Sequence, residues 1–225
     1  MTAIFVTGTG TDIGKTFITA GLIRHLRAAG QTVEALKPLT TGFYPVEAEG
    51  SDPGRLLKAM GRQPTLEAIE AISPFRFTAP LSPDMAARRE GRSIDFDALV
   101  QFCQGAIGRQ RGALFIEGVG GVMVPLGPRY TVIDWMAALK LPVLLVAGTY
   151  LGTMSHTLSA LDVLKRRNLA VKAIVLNQTP GSPVPSDETV VTLTPLVGGI
   201  PIVMLPRLAQ GETSHPVLAA IAALL

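Results

Sequence analysis

The run GTGTDIGKT, Gly8 to Thr16, lies between an apolar segment, AIFVT, and a helix-like segment that continues from Thr16. Strand, glycine loop, Gly-Lys-Thr and helix is the order of a phosphate cradle, in which backbone N–H groups and a helix N-terminus face the anion. Such a loop needs a strand before it and a helix after it, the repeating unit of an α/β fold. In the usual cradle the first glycine stands five positions before the glycine of Gly-Lys-Thr, and here Thr9 holds that position. The context argues for a variant cradle over a plain glycine turn capped by threonine. Lys15 then belongs on the terminal phosphate oxygens and the Thr16 hydroxyl on Mg²⁺.

The rest of the chain keeps the same rhythm. Strands are expected at Ala3–Thr7, Val33–Leu36, Ala113–Glu117, Pro142–Ala147, Lys172–Asn177 and Pro201–Leu205. Several are continuously apolar, as in parallel sheets covered on both faces. Helices are expected at Thr16–Ala29, Asp95–Arg109, Thr131–Leu139 and Thr153–Arg167. Alternation of this kind predicts right-handed βαβ units and one doubly wound, mostly parallel sheet with helices on both faces, an α/β fold of the P-loop NTPase type. One domain over residues 1–225 is the simplest division. Two segments break the pattern. Pro38 to Gly50 reads as a loop, and Gly61 to Arg92, with Pro64, Pro74, Pro80 and Pro83, as an irregular insertion over the sheet edge.

Composition removes several classes of function. Hydrophobic residues make up 48% and charged residues 16%, which favours buried strands or a subunit interface over disorder. The net charge of +3 comes without a Lys/Arg cluster interleaved with aromatics, so nucleic acid is not an expected partner. The single cysteine, Cys103, excludes an internal disulfide and reads as a core residue of a helix. His25, His156 and His215 lack metal-ligand spacing, which argues against a zinc site. The apolar runs are too short to span a bilayer and no signal peptide is visible, so a soluble, cytoplasmic protein without a membrane partner is expected.

In open parallel sheets ligands bind outside the carboxyl ends of the strands. Those ends carry Thr7-Gly8, Lys37, Glu117-Gly118, Gly148-Thr149 and Asn177-Gln178. Lys37 at such a rim can stabilise charge on a transferring group. Glu117, before the glycines of GVGG, can hold Mg²⁺ or its waters. Asp52 in GSDPGRLL is evenly balanced between a metal ligand and, with Ser51, a helix cap before Pro53.

Taken together these segments resemble the dethiobiotin synthetase family. The resemblance runs through nearly the whole chain: VTGTGTDIGKT, KPLTTG (Lys37 to Gly42), GSD (Gly50 to Asp52), SPFRFTAPLSPDMAARREGRSI (Ser73 to Ile94), EGVGG (Glu117 to Gly121), Asp134-Trp135, LPVLLVAGTYLG and VLNQ (Val175 to Gln178). Thr9 in the loop is typical of that family. The resemblance implies an ATP- and Mg²⁺-dependent cyclo-ligase that converts 7,8-diaminononanoate and CO₂ to dethiobiotin through a carbamate and a carbamic–phosphoric anhydride. It places Lys15 and Lys37 beside the carbamate and γ-phosphate, and Thr16, Asp52 and Glu117 on Mg²⁺. Thr11 and Thr41 would bond the carbamate region, Thr41 standing where the family often has serine. Asp12, Ile13, Gly14, Lys15, Thr16 and Phe17 would line the triphosphate, with Gly118, Val119 and Gly120 beside it. Asn177 and Gln178 would lie toward the adenine. The family's homodimeric habit implies that Gly152, Thr153, Met154 and Ser155 receive the substrate carboxylate across the subunit interface. Three residues depart from the family pattern: Asp84 stands for His, Ser73 for Asn, and Tyr150 where some relatives carry Lys.

Two other classes share this scaffold. A nucleotide switch of the partition or cell-division type uses a lysine near the start of the loop, and Gly8 to Ile13 contains none. A non-catalytic nucleotide-binding module is separated only by assay.

Overall fold

The computed structural model of the chain describes residues 3–209 and 211–225. In chain order its first half comprises β1 (Ala3–Gly8), α1 (Lys15–Ala28), β2 (Val33–Leu36), β3 (Leu39–Thr41), α2 (Asp52–Ala59), α3 (Leu66–Ile72), β4 (Phe75–Phe77), α4 (Pro83–Arg89) and α5 (Phe96–Arg109). The second half adds β5 (Ala113–Glu117), α6 (Val132–Leu139), β6 (Val143–Gly148), α7 (Thr153–Arg166), β7 (Val171–Asn177), α8 (Ser186–Leu193), β8 (Ile202–Leu205) and α9 (Val217–Ala222).

Six strands form one sheet in the order β2-β5-β1-β6-β7-β8, and every pairing is parallel. β1 and β6 are buried at every residue. Because successive side chains point to opposite faces, burial at every position means that both faces are covered. The covering layers pack from α1 against α2 and α9, and from α5 against α6. Phe5 on β1 meets the fully buried Trp135 of α6 edge to face, with ring centroids 4.9 Å apart. The expected doubly wound sheet is therefore present, with each expected strand within a residue of its place.

Helix starts follow local chemistry. The Asp95 carboxylate accepts from Ala98 N at 2.9 Å to open α5. Asp134 in the first turn of α6 accepts from the backbone N–H and hydroxyl of Thr131, at 2.9 and 2.8 Å. Cys103 is buried within α5, as expected of a core thiol, and burial pushes its pKa up to about 12.

The two interrupting segments are more regular than their composition suggests. Gly61 to Arg92 holds α3, β4 and α4, and β4 pairs in parallel with β3 as a separate two-stranded sheet. The prolines do not prevent this because they fall between elements or at a helix start. Pro64 precedes the cap Thr65, whose hydroxyl accepts from Ala68 N, and Pro83 occupies the first turn of α4, where no N–H is needed. The segment does run beside the β2 edge, where Lys37 N donates to Ile72 O at 3.1 Å. Pro38 to Gly50, expected as loop, contains β3 and a 3-10 turn at Pro45–Gly50.

Candidate active site

β1 delivers the glycine loop to α1 at the carboxyl edge of the sheet. Gly14 takes φ of +96° directly before the helix, and no side chain caps the first turn. The first-turn N–H groups are therefore open to an anion. A Cβ at Gly14 would lie 2.2 Å from Asn177 Nδ2, so a side chain there would have to displace Asn177 besides straining the left-handed backbone. Asn177, at the end of β7, ties the loop down by donating to Ile13 O at 2.9 Å. Lys15 is buried, its ammonium donates to Gly10 O at 2.7 Å, and burial together with nearby Lys37 lowers its pKa to about 8.

Lys37, immediately after β2, sits at the centre of a buried polar cluster. Its ammonium donates to Glu117 Oε1 at 2.7 Å and Gly118 O at 2.9 Å, and lies 3.0 Å from Asp52 Oδ2. The Thr16 hydroxyl donates to the same Glu117 oxygen at 2.6 Å. Lys37 and Glu117 are 3% and 0% exposed, so this is a true interior ion pair. Burial alone would push the Lys37 ammonium down, but the two carboxylates carry it above its usual range. For Asp52, burial raises the pKa, and Lys37 and the Thr16 hydroxyl more than reverse that, holding the carboxyl below its usual range. The helix-cap reading of GSDPGRLL holds for Ser51. Ser51 caps α2 by accepting from Gly54 N, while Asp52 in the first turn reaches Lys37.

Two cavities flank the loop. The smaller, about 570 Å³, is walled by Thr11, Lys15, Thr16, Lys37, Thr41 and Asp52, and by Val119 and Gly120. The larger, about 1050 Å³, runs along Ile13 to Asn177, Gln178 and the Pro206–Arg207 segment. Asp12, Gly14 and Phe17 border both. Asp12 itself has φ of +55°, part of the tight turn that shapes the loop. The loop residues, Lys37, Asp52, Glu117 and Thr41 are thus brought to one rim, as the sequence pattern requires. Gly152, Thr153, Met154 and Ser155 are not. They start α7, with Thr153 bonded to Gly148 O at 2.5 Å, and line neither cavity.

The three departures take distinct places. Ser73 is fully buried and shares a hydrogen bond of 3.0 Å with Thr40, a wall residue of the smaller cavity. Asp84 accepts from Ser82 and Arg88 within α4 and its approach, each at 2.7 Å. Tyr150 borders the larger cavity and its hydroxyl pairs with His156 Nδ1 at 2.9 Å. Sequence reasoning missed Arg55 and Arg207. Arg55 stands one helical turn after Asp52, the spacing that puts two side chains on one face. Arg207 lies beyond β8 in a segment without a recognisable motif.

Among the described residues no group of three or more His, Cys, Asp or Glu side chains is placed to hold a metal ion. Mg²⁺ asks for less, one or two carboxylates with waters and substrate phosphates completing its shell. The donor set Thr16, Asp52 and Glu117 fits that demand, and Glu117 Oε2 is a buried oxygen without a hydrogen-bond partner. Among the described residues no helix is long and apolar enough to cross a membrane.

Comparison with known proteins places this geometry in context. A family profile described as an AAA domain matches residues 2–222. The ATP-dependent dethiobiotin synthetase BioD of Acidiphilium cryptum (strain JF-5) is 49% identical over 202 residues, covering 89% of this chain and 91% of the relative. The protein of the same name from Phenylobacterium zucineum (strain HLK1) is 43% identical over 225 residues, covering 99% of this chain and 96% of its own. Among solved structures, a ParA family ATPase from Chlorobium tepidum TLS superposes with a TM-score of 0.56 at 15% identity, covering 99% of this chain and 98% of that one. The hydrogenase maturation factor HypB from Archaeoglobus fulgidus gives 0.57 at 11% identity, covering 99% and 87%. At such low identity these structures establish the fold alone.

Proposed function

The chain belongs to the dethiobiotin synthetase family, a family of ATP-dependent ligases, and from that premise we propose that it carboxylates 7,8-diaminononanoate with CO₂ and closes the ring to dethiobiotin. One substrate amine adds to CO₂ and loses a proton, giving a carbamate. A carbamate oxygen attacks the γ-phosphorus of ATP and ADP leaves. The neighbouring amine attacks the resulting anhydride at carbon, forms the cyclic urea and expels phosphate.

The observation that carries this reading is the meeting of Lys15, Thr16, Lys37, Asp52 and Glu117 at one rim, beside an uncapped helix start. Phosphoryl transfer of this kind asks the protein chiefly for position and charge. Lys15 and Lys37 neutralise the charge gathered between carbamate and γ-phosphate, and Thr11 and Thr41 hold the carbamate. Asp12 to Phe17, with Gly118, Val119 and Gly120, follow the triphosphate, and Asn177 and Gln178 close the nucleotide end. Thr16, Asp52 and Glu117 would hold Mg²⁺, which supplies Lewis-acid neutralisation of the phosphate oxygens. Gly152 to Ser155, standing apart from both cavities of their own chain, serve a partner subunit's substrate carboxylate in a homodimer. The chain acts as one domain in the cytoplasm.

The test is direct: purified protein with diaminononanoate, bicarbonate and Mg-ATP should yield dethiobiotin by mass. ATP turnover indifferent to the diamine would overturn the proposal in favour of a nucleotide switch.

A further inference from the structure

Two cations that border the cavities, Arg55 and Arg207, have no side-chain partner among the described residues. Arg55 borders both cavities, and it is the one residue outside the Thr9–Phe17 segment that does so among the described residues. Its helix is firmly seated. Leu56 and Leu57 are buried, and Gly54 packs so closely on the Pro45–Gly50 turn that a Cβ there would lie 2.0 Å from Ala48 O. The guanidinium itself is exposed and makes no ion pair or side-chain hydrogen bond among the described residues. The other basic side chain of α2, Lys58, is held by Glu49 at 2.7 Å. The lysines inside the site are likewise committed, Lys37 to Glu117 and Asp52, Lys15 to Gly10 O.

A nucleoside triphosphate laid along the loop must cross from the larger cavity to the smaller past Asp12, Gly14 and Phe17. Arg55 borders both cavities at that crossing, carrying a planar fork of donors suited to phosphate oxygens. We propose that Arg55 is a further nucleotide-binding residue of this chain, its guanidinium gripping phosphate oxygens of ATP where the chain of phosphates passes between the two cavities. The proposal rests on the ATP-dependent reading above and adds a residue to it.

The experiment is calorimetric titration of ATP into wild type, Arg55→Ala and Arg55→Lys at several salt concentrations, with steady-state kinetics alongside. Arg55→Ala should weaken ATP roughly tenfold or more, the scale of one charge-assisted contact. It should also flatten the salt dependence of ATP affinity and raise KM for ATP more than it lowers kcat. Arg55→Lys should recover part of the affinity. Melting temperature should hold in all three, since the side chain is exposed and makes no ion pair or side-chain hydrogen bond among the described residues. Wild-type affinity in Arg55→Ala, or weakened affinity with an unchanged salt dependence, would overturn the proposal. A wild-type chain that binds ATP through Arg55 yet makes no dethiobiotin would refute the ligase reading and leave this one standing.

Discussion

Replacing Lys37 by alanine removes the cation from a carboxylate that water does not reach. The lost contacts are Glu117 Oε1 at 2.7 Å, Gly118 O at 2.9 Å and Asp52 Oδ2 at 3.0 Å. Glu117, fully buried, keeps only the Thr16 hydroxyl. Breaking one side of a buried pair costs about 3–5 kcal/mol, much of it the stranded charge. In a chain of this size that amounts to a melting temperature about 6–20 °C lower. Turnover should fall by roughly two to three orders of magnitude, the scale of losing a preorganised charge stabiliser. A double variant, Lys37→Met with Glu117→Gln, separates the two effects. It removes both charges at similar volume, so most of the stability should return while dethiobiotin formation stays low. Differential scanning calorimetry and product mass on the same preparations make the measurement. If Lys37→Ala melts within about 2 °C of wild type, or the double variant melts no higher than the single, the buried pair does not hold the site together as described.

Glu117→Gln alone should raise the Mg²⁺ concentration needed for half-maximal turnover; an unshifted metal titration would remove Glu117 from the donor set. Gly14→Ala forces a left-handed residue to carry a Cβ and displaces Asn177 from Ile13 O. The backbone term alone is about 1–2 kcal/mol, lowering the melting temperature by about 2–8 °C, and ATP should bind more weakly; a neutral result would mean the loop is not held as described. For Asp134, burial raises the carboxyl pKa, and the Thr131 N–H, the Thr131 hydroxyl and Arg167 outweigh it, leaving the group below its usual range. Its stabilisation is therefore complete above the unfolded carboxyl value of about pH 4 and fades as pH falls through the lower folded value. Asp134→Ala should cost about 1 kcal/mol at neutral pH and nothing in strong acid, checked by melting curves at both; an equal loss in acid would place the effect elsewhere.

The strands, the glycine loop and the rim they share were legible because burial on both faces writes continuous apolar runs, and because strand ends carry the polar residues. Lys37 and Glu117 could be named as rim residues for that reason. Their direct contact could not, since it depends on β5 lying beside β2, and adjacency in a sheet is a property of topology and not of spacing. α2 showed in the sequence only as a possible cap at Ser51 and Asp52, its extent left open because DPGRLLKA is short and carries a glycine. In the folded chain Pro53 sits in the first turn, where it is tolerated, and Gly54 is there because the Ala48 carbonyl leaves no room for a side chain. The prolines of Gly61 to Arg92 misled, marking the joints between short elements instead of an absence of elements. Gly152 to Ser155 were expected to act across a subunit interface, and one chain alone does not bring them to either cavity.

The order β2-β5-β1 has a consequence for how the chain is made. The two lysines follow β1 and β2, strands that do not pair with each other; β5, arriving more than seventy residues after β2, is the slat between them. In the first 111 residues both ammonium groups and the α2 carboxylate already exist, but β1 and β2 are linked only through α1 and α2, without the strand that joins them in the sheet. Pairing across such sequence separations is slow to form. Completion of the rim is in this sense a late event of folding, since it waits for Ala113 to Glu117 to enter the gap and for Asn177 to reach the loop.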